Sequence, residues 1–301
     1  MQQKFNYNIK SSKDLGWTPE WFGCDSFGIE LLEAIILFQN SLGLEADGLV
    51  GPSTYRRIEA DLLAREEYKP PRRNRRKGEK SIVYNGERYS INWDKVILWD
   101  ERGGFKCSPE TYYDWSSKPA RKPIQFVNHW DATLSSELCA KIIAKRGLSM
   151  HFLIDNDGTI YQLMDIQDPA FQAGSKFWNI NSIGVEISNA FYMKYQSWYE
   201  KNGFGSRPVM EGYELNGKKI ETHLGFYPIQ LQALAALWAA IADSTGINLE
   251  ICETKGYCDA CAKGEHNGFI NHYNLTTNKM DCASLDMNFV LELAKQNSQS
   301  C

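Results

Sequence analysis

Apolar positions near the N-terminus recur at helical spacing. Leu31, Ala34, Ile35, Phe38 and Leu42 fall on one face and predict a helix from Glu30 to Leu42, with Gly43 as its stop. Asp47-Gly48 marks a turn, and Gly51-Pro52-Ser53-Thr54 opens a further helix from Tyr55 to Ala64. Beyond residue 80 the pattern changes to alternating strands and helices. Ile124 to His129 reads as a buried strand and Ser135 to Lys145 as a helix. Met150–Ile154 and Thr159–Met164 flank Asn156-Asp157-Gly158 as a hairpin. Ser182 to Ser188 is another apolar strand. Pro228 to Ser244, rich in Ala and Leu and followed by Gly246, is the clearest helix, and Leu285 to Gln296 closes the chain as one more. Tyr192 to Gly225 is polar and Gly-bearing and reads as a surface insertion, with His223 solvated in it. The fold class expected is α+β: a small N-terminal three-helix bundle, then a mixed central sheet flanked by helices.

Composition adjusts this picture little. The length of 301 residues suits two domains, and 43% apolar residues can supply real cores. The boundaries expected are 1–64, a linker at 65–80, and 81–301. Lys69 to Lys80 carries seven Lys/Arg and one Glu, +6 against −10 for the rest of the chain. Pro70-Pro71 stiffens its start. The stretch reads as a solvated linker, or as a basic strip that also adheres to an anionic cell surface. A net charge of −4 gives no reason to expect a nucleic-acid partner. Neither a membrane span nor the apolar core of a signal peptide is visible, so synthesis in the cytosol without membrane insertion is expected. Eight scattered cysteines in such a chain read as reduced thiols or metal ligands.

The candidate chemistry lies around two of the five histidines. One ends the apolar run Phe126-Val127-Asn128-His129. The other is His272, followed by Asp281 and Cys282. Imidazoles with a carboxylate or a thiolate suit one divalent zinc ion, and three protein ligands leave a place for water. A second cluster, Cys252, Cys258, Cys261 and His266, could form a separate structural zinc clip.

Two stretches resemble known families. Ala34 to Gln39, Leu42-Gly43-Leu44, Asp47-Gly48-Leu49-Val50-Gly51-Pro52 and Thr54 resemble the peptidoglycan-binding domain of cell-wall hydrolases, with Asp47, Gly48 and Gly51 in the matching turn. Four blocks, in order, resemble the zinc N-acetylmuramoyl-L-alanine amidases of the phage-endolysin and peptidoglycan-recognition type. They are Phe126–His129; Ser149–Ile154 with Asp157–Gln162; Asn181–Glu186; and His272 through Asp281. Together the whole looks like a modular phage endolysin.

That resemblance implies roles. His129 and His272 would be zinc ligands. The third ligand falls two residues after a lysine, which selects Asp281 after Lys279 and leaves Cys282 as the fallback. Glu186 would be the general base toward zinc-bound water, and Lys279 would stabilise the oxyanion. Met150 stands where relatives often carry a tyrosine, which leaves more of the proton transfer to Glu186. Phe171-Gln172 replaces the Trp-His that many relatives carry before Ala-Gly, which puts substrate contacts there in doubt. His151 is either a packed histidine or a substrate contact, and Trp130 and Trp178 are either groove walls or core. The implied reaction is hydrolysis of the amide between N-acetylmuramic acid and L-alanine, by a monomer whose partner is peptidoglycan. It would be made in a host bacterium and reach the wall after holin-mediated release. The alternatives are a non-catalytic wall receptor, a stem-peptide peptidase, and a virion-borne wall hydrolase.

Overall fold

The structure, a computed structural model, describes residues 2–65 and 80–298. The basic stretch expected as a linker at 65–80 lies, apart from its two ends, outside the described residues. The chain separates into two compact units, Met1–Lys69 with Ala132–Leu134, and the remainder.

The first unit contains α1 (Gln2–Leu15), α2 (Ile29–Asn40) and α3 (Pro52–Arg65). Helix α2 buries Leu31, Leu32, Ile35 and Gln39, so its apolar stripe ends on an amide. That amide organises the turn before α3. Gln39 Nε2 donates to Asp47 Oδ1 (2.8 Å) and to the Leu49 carbonyl (3.0 Å), while its Oε1 accepts the Gly48 N–H at 2.9 Å. Asn8 of α1 completes the clamp, donating to the Gly48 carbonyl and accepting the Val50 N–H, each at 2.9 Å. Gly48 adopts φ +74°, and a Cβ there would touch Ile36. Within the first unit, Asp47 and Gly48 thus shape this turn. Trp17, fully buried, fills the core.

The second unit opens with the hairpin β1 (Ser81–Tyr84) and β2 (Glu87–Ser90), followed by β3 (Val96–Leu98). Then come β4 (Gln125–Trp130), α4 (Ser136–Lys145), β5 (Phe152–Ile154), β6 (Ile160–Gln162), α5 (Lys176–Asn181), β7 (Ser182–Ile187) and α6 (Gln196–Lys201). The short pairs β8 (Val209–Met210) with β11 (His223–Leu224), and β9 (Glu214–Leu215) with β10 (Lys218–Lys219), lie between α6 and the long α7 (Pro228–Thr245). The single-turn helix α8 (Asp259–Ala262), β12 (Gly268–Asn271) and α9 (Met287–Ser298) complete it. Six strands form one mixed sheet in the order β12-β4-β7-β5-β6-β3, parallel except where β5 meets β6. The expected α+β class, with a mixed sheet flanked by helices, is what the chain adopts.

All six residues of β4 are buried, as an interior parallel strand covered on both faces requires. On one face, Trp238 of α7 stacks on Phe269 of β12 with ring centroids 4.5 Å apart and donates to Asn128 Oδ1 at 3.3 Å. Full burial of such a side chain contributes roughly 1.5–3 kcal/mol. On the other face, Cys139 and Ile143 of α4 pack on Leu153 and Tyr161. Ser135 caps α4, its side chain accepting the Leu138 N–H.

The stretch from Tyr192 to Gly225 is not the surface insertion its composition suggests. Tyr195, Trp198, Tyr199 and Leu224 are buried in it. Arg207, 2% exposed, lies against the rings of Tyr199 and Tyr227 at 4.2 and 4.3 Å from their centroids. Its guanidinium donates to Asn156 and to the carbonyls of Ser188 (2.8 Å) and Gly225 (2.9 Å). His223, expected in solvent, is fully buried and stacks on Phe191 at 4.6 Å and 17°. Many polar residues over this stretch hid a handful of aromatics that pack on one another, while His223 packs against Trp130 of β4. Among the described residues, no helix is long and apolar enough to cross a membrane.

Candidate metal centre

His129 is the penultimate residue of β4. Alternation along a strand places Val127 and His129 on one face of the sheet and Phe126, Asn128 and Trp130 on the other. Glu186 of β7 is the register partner of His129 and shares its face. His272 follows the last residue of β12 and opens a short turn, in which the Asn271 N–H bonds to Asn274 Oδ1 at 2.9 Å. The Tyr273 N–H then takes the Asp281 carbonyl at 3.1 Å, drawing the 276–281 loop back onto that turn. Three parallel strands thus deliver the candidate residues at their C-terminal ends, where open α/β sheets place their sites.

His129, His272 and Asp281 converge, each offering a ligand atom within 4.8 Å of the others. His129 Nδ1 lies 3.1 Å and His272 Nδ1 3.0 Å from the same oxygen, Asp281 Oδ2. The two imidazole rings meet edge-on at 4.4 Å.

A chain of hydrogen bonds fixes which nitrogen of His129 is free. The Ser182 hydroxyl donates to the Trp178 carbonyl at 2.7 Å, so its oxygen accepts from Gln172 Nε2, also at 2.7 Å. The amide is thereby oriented, and Gln172 Oε1 faces His129 Nε2 at 2.6 Å. Nε2 therefore carries a proton, and in the neutral ring Nδ1 presents its lone pair to the carboxylate oxygen. Two acceptors at 3.1 Å repel, and either a bound cation or a second proton on the ring relieves this. Two imidazole nitrogens and one carboxylate are also the donor set of an open zinc site. The residues present therefore fit a zinc ion, with Gln172 orienting one ligand from behind.

Burial alone would raise the Asp281 carboxyl, but His272 and His129 beside it hold it well below the usual carboxylate range. Cys282, the fallback ligand, is fully buried and does not join the cluster. Burial first, then the carboxylates of Asp281, Glu186 and Asp131, push its thiol well above the ordinary value. Glu186 is half-buried, with Oε2 fully shielded from solvent. Lys279 is exposed on the loop that leads to Asp281.

Other candidates fall elsewhere. His151 is wholly buried: its Nδ1 accepts the Gly184 N–H at 3.2 Å, and its Nε2 lies 3.0 Å from the Asp168 carbonyl. It is the packed histidine of the two alternatives. Burial, then the neighbouring Arg121 guanidinium, hold it well below the ordinary histidine value. Trp130 is 6% exposed and packs on Phe191 at 4.9 Å. It is core, because alternation turns it to the face opposite His129. Trp178 is half-buried and donates to the Ala262 carbonyl at 2.8 Å. Of the second cluster, Cys252, Cys258 and Cys261 come together and His266 does not. Hydrogen bonds from the Glu265 and His266 N–H groups to the Ala260 carbonyl fold that segment back toward β12. Gln172 carried a signal in the sequence, as the residue standing where relatives have histidine before Ala-Gly. Its place behind His129 was not readable from it.

Comparison with known proteins bears on the second unit. The sequence matches the Amidase_2 family, described as N-acetylmuramoyl-L-alanine amidase, over residues 119–281, more than half of the chain. A comparison with curated proteins gave no match. Among solved structures, the chain is similar to the hydrolase AmiA of Staphylococcus aureus in complex with its ligand (12% identity, 68% of this chain and 83% of that one, TM-score 0.42). It is also similar to AmpDh3 of Pseudomonas aeruginosa in complex with anhydromuramic pentapeptide (18%, 60% and 65%, TM-score 0.39). A third is the amidase LysC of Clostridium intestinale URNW (16%, 67% and 97%, TM-score 0.36). With the family match covering β4, β7, β12 and every residue of the converging triad, the chain belongs to the N-acetylmuramoyl-L-alanine amidase family Amidase_2.

Proposed function

We propose that the second unit hydrolyses the amide joining N-acetylmuramic acid to L-alanine in peptidoglycan, and that zinc is its cofactor. The observation that carries the reading is the convergence of His129, His272 and Asp281 with Glu186 in register beside His129. A zinc ion held by these three would supply a Lewis acid that polarises the lactyl carbonyl and makes water more acidic. Glu186 takes a proton from the attacking water and returns it to the departing L-alanine nitrogen as the C–N bond breaks. Lys279, at the rim, closes toward the carbonyl oxygen as negative charge develops there. Gln172 holds His129 in the tautomer that presents Nδ1. The products are a free lactyl carboxylate on the glycan and a free amine on the stem peptide. The first unit, with its Gln39-clamped turn, would hold the enzyme on the wall. The whole would then act as a modular endolysin on the cell wall.

Mass spectrometry of digested sacculi tests this. New L-alanine N-termini on released stems are expected, and a chelator should abolish them. Glu186→Gln should retain zinc while the rate falls by about 10²–10⁴. New amines at any other residue would make the protein a peptidase, and new reducing ends a glycosidase. A zinc-loaded wild-type protein that releases nothing would be a wall receptor.

A further inference from the structure

The loop between α7 and β12 brings three sulfurs together. Cys252 is placed by its N–H bonding to the Phe269 carbonyl of β12 at 3.0 Å. Cys258 precedes α8, with its N–H on the Asn274 carbonyl at 3.0 Å. Cys261 lies three residues on, where a helical turn returns to the same side. The three Sγ atoms lie within 4.8 Å of one another. Cys261 is wholly buried, while Cys252 and Cys258 are half-buried. Buried thiols can serve simply as small apolar groups, and these do touch Val127, Ile270 and Leu275. Apolar packing does not require three sulfurs to face one another, however.

We propose that Cys252, Cys258 and Cys261 bind a second, structural Zn²⁺ that braces the turn carrying His272. Soft thiolates at this mutual distance select such an ion. Binding replaces the thiol protons, which pass to solvent.

The bracing follows from the loop's other bonds. Asn274 Nδ2 donates to the carbonyls of Thr254 (2.9 Å) and Gly256 (2.8 Å). Asn274 closes the turn that His272 opens. The thiolate site thus fixes the backbone from which one catalytic-site ligand projects, independently of what reaction that site performs.

The test is metal analysis of the purified full-length protein. Wild type is expected to carry two zinc ions per chain. His129→Ala/His272→Ala should keep one of them, and its cobalt form should show thiolate-to-cobalt charge-transfer absorption. Cys252→Ser/Cys258→Ser should lose that absorption and one ion, and should bind zinc at the remaining site at least tenfold more weakly. Should the serine variant fail to fold, the histidine variant still decides. A histidine variant free of zinc would overturn the proposal. So would peptide mapping of the non-reduced protein that finds a disulfide among the three cysteines. Failure of the amidase reading would show in the sacculus digest and leave these outcomes unchanged.

Discussion

His129 is held from two sides, by Gln172 on Nε2 and by the ligand partners on Nδ1. The sequence makes the histidine legible only through its context, one of four ordered blocks that resemble the amidases, since a lone imidazole closing an apolar strand reads as core. It does not make Gln172 legible, since the relay through Ser182 exists only once β7 lies beside β4. Trp130 was ambiguous in one dimension, and strand alternation resolved it. His151 carries a prediction of its own. Its folded value is depressed, so its contribution to stability is full above about pH 6.5 and drains away as pH falls, because the unfolded chain then takes up a proton that the core refuses. For one group the limit is about 1.4 kcal/mol per pH unit. Urea unfolding of wild type and His151→Gln at several pH values between neutrality and about pH 5 should show a steeper acid loss in wild type. Equal slopes would mean the imidazole titrates freely in the fold.

Strand β7 carries Glu186 and Gly184 on the face of the candidate metal centre, and the glycine is needed there. A Cβ on Gly184 would sit 2.7 Å from Met150 Sδ and 2.8 Å from Gln172 Oε1, the atom that bonds His129. Gly184→Ala should therefore cost about 1–3 kcal/mol of stability by overpacking. It should also weaken zinc binding by about tenfold or more as Gln172 is displaced. Thermal denaturation and a zinc competition titration measure the two effects, and unchanged zinc affinity would detach Gln172 from the site. At this scale β4, α4, the β5–β6 hairpin, β7 and α7 could be read from periodicity. Strand β12 could not, because four residues after a cysteine-rich loop carry too short a pattern to stand out. The β1–β2 hairpin is likewise not legible from periodicity, its alternation spanning only four residues on each side of Asn85-Gly86.

For the molecule as a whole, the two units predict separable tasks. Deleting residues 1–65 should weaken sedimentation with insoluble peptidoglycan while leaving hydrolysis of small soluble muropeptides near the wild-type rate. A folded deletion that cleaves no soluble substrate would contradict that division. Domain organisation was suggested in the sequence by the proline and arginine stretch and by the change of period beyond it. What the sequence concealed was the middle of the second unit, where Arg207 ties residues 192–225 to the sheet. The Ser188 carbonyl that it grips comes directly after β7, the strand of Glu186. An engineer shortening this enzyme by trimming its least regular stretch would thus be pulling a bolt from the frame of the reaction chamber, however dispensable the stretch looks on paper.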